Sequence, residues 1–151
     1  MEGNVTVRRA TATDLDLVAP LFDSYRQFYG CAPDPDVARR FLGERLERGE
    51  SVVFVAVSDG KGVGFVQLYP TFTSIGARRA WILNDLYVSP EARRKGLGRQ
   101  LLDAARRMAE ETGAAWLELA TATDNHGAQA LYRERGYEKD EAYDRFKLTL
   151  K

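Results

Sequence analysis

"WILNDLYVSPEARRKGLGRQLLDAARRMAEETGAAWLELAT", residues 81–121, decides the fold. It opens on a long, mostly apolar run that reads as a strand buried on both faces. From Gly96 onward, Leu97, Leu101, Ala105, Met108 and Thr112 recur along one helical face, and Gly113 closes that helix. "AAWLELAT", residues 114–121, reads as another strand. Strand, helix and strand make a βαβ unit, so the two strands are expected to lie parallel with a right-handed crossover.

Working outward, "SVVFVAVSDGKGVGFVQLYP" places two β-branched and aromatic runs around an Asp-Gly-Lys-Gly turn, a hairpin signal. Before it, Asp34-Pro35 opens a helix striped by Val37, Phe41 and Leu46 and stopped at Gly49. Earlier still, Thr13 and Asp16 have the spacing of a capping box ahead of Leu15, Val18, Phe22, Tyr25 and Tyr29, with Pro20 expected to kink that helix or delay its start. "VTVRRA" is a short opening strand. Downstream, residues near Asn125 to Arg135 form a short helix, and "YEKDEAYDRFKLTL" is expected to supply one or two closing strands. The order of elements describes a mixed α/β sheet sandwiched by helices, in a single domain over residues 1–151.

Bulk properties restrict the function classes. Lys and Arg number 22, matched by 22 Asp and Glu, so net charge points to neither nucleic acid nor a membrane surface. "MEGNVTVRR" lacks a signal-peptide pattern, no apolar run reaches the length of a membrane span, and Cys31 is the only cysteine, which together point to the cytoplasm. One histidine, His126, and one cysteine provide no metal-ligand cluster and no Cys-His nucleophilic pair. His126 is expected to face solvent.

The chemistry concentrates in "RRKGLGRQLL", residues 93–102. A loop that turns into a helix offers backbone N–H groups without helical partners, and the helix dipole adds positive potential there. Gly96 and Gly98 allow close approach, and Arg93, Arg94 and Lys95 add charge, so phosphate or pyrophosphate is the natural guest. A solvated basic loop ahead of an ordinary helix would also fit. A dinucleotide fingerprint fails because position 101 is Leu, and a P-loop fails because Gly98 is followed by Arg99 and Gln100.

Arg93-x-x-Gly96-x-Gly98, after a strand ending "NDLYVSP", resembles the acetyl-CoA signature of the GCN5-related N-acetyltransferase (GNAT) superfamily. A second match, Asn125-x-x-Ala128-x-x-x-Tyr132 in "NHGAQALYRERGY", falls where that family places its Asn and Tyr. "SYRQFYG", "NDLYV" and "NHGAQALY" are most similar to the yeast histone- and polyamine-acetylating subgroup and its bacterial relatives. The resemblance implies a mostly antiparallel central sheet with a splayed parallel strand pair and helices on both faces. It also implies acetyl-CoA as co-substrate, no metal, and a homodimer formed through C-terminal strands.

By the same resemblance, Arg93, Arg94, Lys95, Gly96, Leu97, Gly98 and Arg99 hold the coenzyme A pyrophosphate, mainly through backbone N–H groups. The pantetheine arm pairs with the strand edge at Leu86, Tyr87 and Val88, much as an added strand does. Asn125 hydrogen-bonds that arm and Tyr132 protonates the departing thiolate; a plain helix cap and a buried aromatic are the structural alternatives for these two. Tyr87 is open between core packing and site lining.

A lysine-like acceptor amine has a pKa of about 10.4, so freeing it at pH 7 costs roughly 4 to 5 kcal/mol, and a base reduces that. Where some family members carry a Glu, this chain has Ile82. Asn84 and Asp85 are the nearest polar candidates, expected on opposite faces of the strand, with Asp85 as base or substrate anchor against the alternative of a partnered structural carboxylate. Tyr25, Phe28 and Tyr29, with Asp23, Asp34 and Asp36, are candidates for the acceptor's mouth, against the alternative of core packing and helix capping.

The leading reading is an N-acetyltransferase acting on a primary amine of a polyamine, an amino-acid-like molecule or a protein lysine. A non-catalytic acyl-CoA sensor is the alternative, suggested by Ile82. A nucleic-acid binder using the basic loop is remote given the charge balance.

Overall fold

The computed structural model describes residues 4–151. In chain order the elements are β1 (Val5–Arg9), α1 (Leu15–Phe28), α2 (Pro35–Glu47), β2 (Val52–Ser58), β3 (Lys61–Thr73), β4 (Arg78–Val88), α3 (Leu97–Glu111), β5 (Leu117–Leu119) and α4 (His126–Glu134), with single 3-10 turns at Ala12–Asp14 and Pro90–Ala92. The chain divides into two compact units, Met1–Ala120 and Thr121–Lys151.

The first unit carries a five-stranded sheet in the order β1-β2-β3-β4-β5. The first four strands pair antiparallel, and β4 pairs parallel with β5, as the βαβ reading requires. The β2–β3 hairpin turns on Asp59 and Gly60, both at positive φ (51° and 75°), the backbone that an Asp-Gly pair adopts most readily. The β4–α3–β5 crossover is tied at its far end: Trp81 Nε1 donates to Thr112 Oγ1 at 2.9 Å, and Arg78 donates to the carbonyls of Gly113 and Ala114.

Helices cover both faces of the sheet. On one, Val18, Leu21 and Phe22 of α1 and Ala38 and Leu42 of α2 pack with Val53, Val55 and Phe65 into a buried core. The other face takes α3, whose Leu97, Leu101, Ala105 and Met108 are buried as the sequence spacing predicts.

Helix ends follow the sequence with one displacement. Asp34 caps α2 by accepting from Val37 N at 3.2 Å, and Gly49 and Gly113 sit at positive φ just past α2 and α3. The cap ahead of α1 lies two residues earlier than the Thr13–Asp16 spacing predicts. Asp14 accepts from Thr11 N at 2.8 Å and from both terminal nitrogens of the Arg8 guanidinium at 2.9 Å, whereas Asp16 pairs with Arg39 of α2. Arg8 draws Asp14 into the earlier role and holds its carboxyl below the ordinary carboxylate range. The pair's contribution to stability is therefore complete above that range and is lost as acid protonates Asp14.

α1 crosses the start of β3 closely. A Cβ at Gly62 would come within 2.5 Å of the Leu17 carbonyl oxygen, which is backbone and cannot swing aside. Gly62→Ala is expected to lower stability by about 1–3 kcal/mol through displacement of α1, read as a lower thermal midpoint. An unchanged midpoint would show that α1 is not seated on that strand.

The expected closing strands are absent: among the described residues, 135–151 carry no helix or strand. A strand needs a ladder partner, and the second unit contains α4 and no strand for the alternating run Phe146, Leu148, Leu150 to pair with. Those side chains are exposed, Phe146 at 93%.

Candidate active site

The parallel ladder between β4 and β5 is short. It pairs Trp81 with Leu117, Ile82 with Glu118 and Leu83 with Leu119, and stops there. Beyond Leu83, β4 continues for five residues with β3 on one side only, so among the described residues no strand pairs with the edge at Leu86, Tyr87 and Val88. The parallel strand pair expected from sequence is present within the first unit.

β4 leads through Ser89 into the basic loop. Ser89 is pinned to Val63, whose carbonyl oxygen accepts both its N–H and its hydroxyl at 2.9 Å. Arg93 folds back on its own strand, with Nε donating to Val88 O at 2.9 Å and the guanidinium 5.7 Å from the Tyr87 ring centroid. Arg94 and Gly96 adopt left-handed backbone, φ 65° and 79°. Gly96 is the N-cap of α3 and provides no side-chain cap; the first helical bond runs from Gln100 N to Gly96 O. Leu97, Gly98 and Arg99 form the first turn that follows, at the positive end of a 15-residue helix. Arg93, Arg94 and Lys95 lie exposed around them.

Tyr87 packs on one side and borders a recess on the other. Its ring meets Tyr25 at 6.3 Å and also lines a recess of about 350 Å³ with Leu17, Pro20 and Ser24 of α1 and Ser89 beyond β4.

The polar centre of the sheet departs from expectation. Strand alternation places Asn84 and Asp85 on opposite faces, yet Asn84 Nδ2 donates to Asp85 Oδ1 at 2.9 Å. The cause is a β-bulge: Gln67 pairs with Asp85 and Leu68 with Leu83, leaving Asn84 without a partner of its own. Asp85 is 3% exposed and Gln67 is fully buried, with Gln67 Nε2 donating to Asp85 Oδ2 at 2.6 Å. Tyr25 reaches the same place, its hydroxyl donating to Asn84 O at 3.4 Å.

Burial pushes the Asp85 carboxyl above its ordinary range, against the opposing hydrogen bonds from Gln67, Asn84 and Tyr25. Burial, and next the charge of Asp85, raises Tyr25 and takes Tyr69 up to about 12. Gln67 was not singled out from sequence. Its signal was a lone amide inside the apolar run "VGFVQLYP".

The acceptor candidates divide. Tyr25 is half-buried against Phe22, Phe65 and Tyr87, whereas Tyr29, placed on the core stripe by spacing, is 60% exposed at the end of α1. Asp23 is buried and accepts from Gln27 and from Asp34 N, and Asp34 caps α2, so both carboxylates are spent structurally.

In the second unit, Asn125 caps α4, Oδ1 accepting from Ala128 N at 3.1 Å. This bond leaves the amide's NH2 donors outside the cap. Tyr132 lies two turns on, half-buried, its ring 6.0 Å from that of Tyr137. His126 is exposed. No group of three or more His, Cys, Asp or Glu able to hold a metal is present among the described residues.

Comparison with known proteins points one way. The profile of the Acetyltransferase (GNAT) family matches residues 18–137. The uncharacterized N-acetyltransferase YhfO of Bacillus subtilis is 44% identical over 146 residues, which cover 97% of this chain and 98% of that protein. The D-amino-acid N-acetyltransferase HPA3 of Saccharomyces cerevisiae is 29% identical over 140 residues, 90% of this chain and 86% of that one. Among solved structures, the crystal structure of a probable acetyltransferase superposes with a TM-score of 0.92 at 42% identity, covering 97% of this chain and 98% of its own.

Proposed function

The chain belongs to the GNAT family of acetyltransferases, enzymes that draw their acetyl group from acetyl-CoA, and from that premise we propose how it acts and on what. The acceptor is a primary amine, carried by a polyamine, an amino-acid-like molecule or a protein lysine. The observation that carries the reading is the pairing of an uncapped α3 N-terminus with the open edge of β4.

Backbone N–H groups of Leu97, Gly98 and Arg99 receive the pyrophosphate, with Arg93, Arg94, Lys95 and the turn at Gly96 shaping and charging the cradle. The free edge at Leu86, Tyr87 and Val88 pairs with the amides of the pantetheine arm, and Asn125 donates its amide hydrogens to the same arm. The two compact units serve as one acetyltransferase domain, as a family match spanning both of them supports.

Asp85 takes a proton from the acceptor ammonium, directly or through a water. The freed amine nitrogen bonds to the thioester carbonyl carbon, the C–S bond breaks, and the sulfur leaves with the electron pair. Tyr132 gives that thiolate its proton, and the nitrogen sheds its second proton as the amide forms, which restores the Tyr132 phenol. The first proton passes from Asp85 to solvent, so ammonium and acetyl-CoA become amide, CoA thiol and one released proton. A carboxyl raised by burial is a better base near neutrality than an ordinary one. Asn84, Tyr25 and Tyr29 orient the acceptor, and the tyrosine rings suit a cation.

The test is release of free CoA thiol across polyamines, D- and L-amino acids, aminoglycosides and a lysine-rich peptide, with the D-amino acids included on the strength of the yeast relative. Release confined to one amine class supports the proposal and identifies the acceptor. Silence with every amine, while coenzyme A still binds, favours a non-catalytic acyl-CoA sensor.

Two further properties belong to this reading. The exposed alternating run Phe146, Leu148, Leu150 supports self-association as a homodimer; light scattering should give twice the monomer mass, and a clean monomer counts against it. A cytoplasmic site of action fits the free, exposed Cys31, and no helix among the described residues is long and apolar enough to cross a membrane.

A further inference from the structure

Gln67 stands out among the groups that the proposed chemistry leaves unused. It is fully buried between Val66 and Leu68 of β3, and burying an amide is unfavourable unless both its ends are satisfied. Only one end is: Nε2 donates to Asp85 Oδ2 at 2.6 Å, while Oε1 is buried without a hydrogen-bond partner among the described residues. An amide kept for structure alone would be better replaced by an apolar side chain of the same shape.

The bulge gives this arrangement a direction. Because Asn84 is the extra residue, two amides bracket one carboxylate: Gln67 on Oδ2 from the buried side and Asn84, itself exposed, on Oδ1. We infer that Gln67 is the positioning residue of Asp85, clamping Oδ2 so that Oδ1 is presented on the Asn84 side, where an acceptor ammonium or a water would exchange with the Asn84 amide. This rests on the proposed role of Asp85 in proton transfer. Gln67 itself touches no reacting atom.

The other titratable groups packed around Asp85 are phenols: Tyr25 from α1 and Tyr69 from β3, with Tyr87 next along β4. The nearby cation is Arg45 of α2, which acts on Tyr69 and is paired with Glu44 and Glu50. Gln67 is therefore the buried donor whose loss Asp85 would register most directly.

The experiment follows Asp85 by ¹³C NMR in protein labelled at the aspartate carboxyls, the resonance assigned by its absence in Asp85→Asn. In Gln67→Met, which keeps the volume and removes the donor, the Asp85 midpoint should move up by about 1 to 2 on the pH scale. In the wild type, where folding of a variant is not at issue, the ¹⁵N side-chain amide of Gln67 should titrate with the same midpoint as Asp85. An Asp85 midpoint unmoved in Gln67→Met, or a Gln67 amide indifferent to Asp85 titration, overturns the inference.

The pH profile of kcat/KM separates this idea from the one beneath it. If the acidic limb moves up together with Asp85, both stand. If Asp85 moves and the limb does not, Gln67 still positions the carboxylate, and the role of Asp85 as base is what falls.

Discussion

Titrated with acetyl-CoA, the Gly96→Glu variant is expected to bind at least about 100-fold more weakly than the wild type. Two effects contribute, and a second substitution separates them. Gly96 has φ 79°, so any side chain strains the backbone there, at a cost of roughly 1–2 kcal/mol. A Cβ at this position meets nothing within 4 Å, so Gly96→Ala adds strain without a clash. Glutamate adds the same strain plus a negative charge at the end of α3 where the pyrophosphate is proposed to sit, repelling the ligand. Gly96→Ala should therefore retain most binding and Gly96→Glu should lose it. Equal, small losses from both would show that no anion occupies the cradle.

Tyr132→Phe is expected to lower kcat by about 10²- to 10⁴-fold, the usual worth of a positioned acid. The affinity for acetyl-CoA should stay within about twofold, because the ring contact with Tyr137 survives loss of the hydroxyl. A structural role would give the opposite division, with weakened folding or binding and intact turnover in whatever protein remains. The deficit should also shrink when p-nitrophenyl acetate replaces acetyl-CoA, since its leaving group departs without a proton. An unchanged kcat with acetyl-CoA would remove Tyr132 from the chemistry.

What could be read from sequence was what depends on neighbours along the chain. Asp34-Pro35, Gly49 and Gly113 bound their helices as read because caps and stops are local. The βαβ pairing followed from a strand, a helix and a strand in order. The glycine loop was legible because glycines ahead of an apolar helical stripe leave N–H groups without acceptors.

Features that depend on pairing across the sheet were not legible. Asn84 and Asp85 meet because β3 and β4 slip by one residue between Gln67 and Leu68, and no alternation pattern within one strand reports a slip against its neighbour. Gln67 gives no sign of its role along the chain, because its partner Asp85 lies across the sheet on β4. The cap before α1 shifted because Arg8 competes for Asp14 from a strand six residues away. The C-terminal alternation of Phe146, Leu148 and Leu150 is real, but alternation specifies a strand only when an edge is available to receive it.

The measurement closest to the central claim is an amide ¹H–¹⁵N titration of the wild-type protein with coenzyme A. Backbone groups of two segments are proposed to carry the ligand: the first turn of α3 and the edge of β4 at Leu86–Val88. The largest shifts should fall on Leu97, Gly98 and Arg99 and on residues within Leu86–Val88. If coenzyme A binds while all six of those amides stay in place, the ligand lies elsewhere on the molecule and the account is wrong.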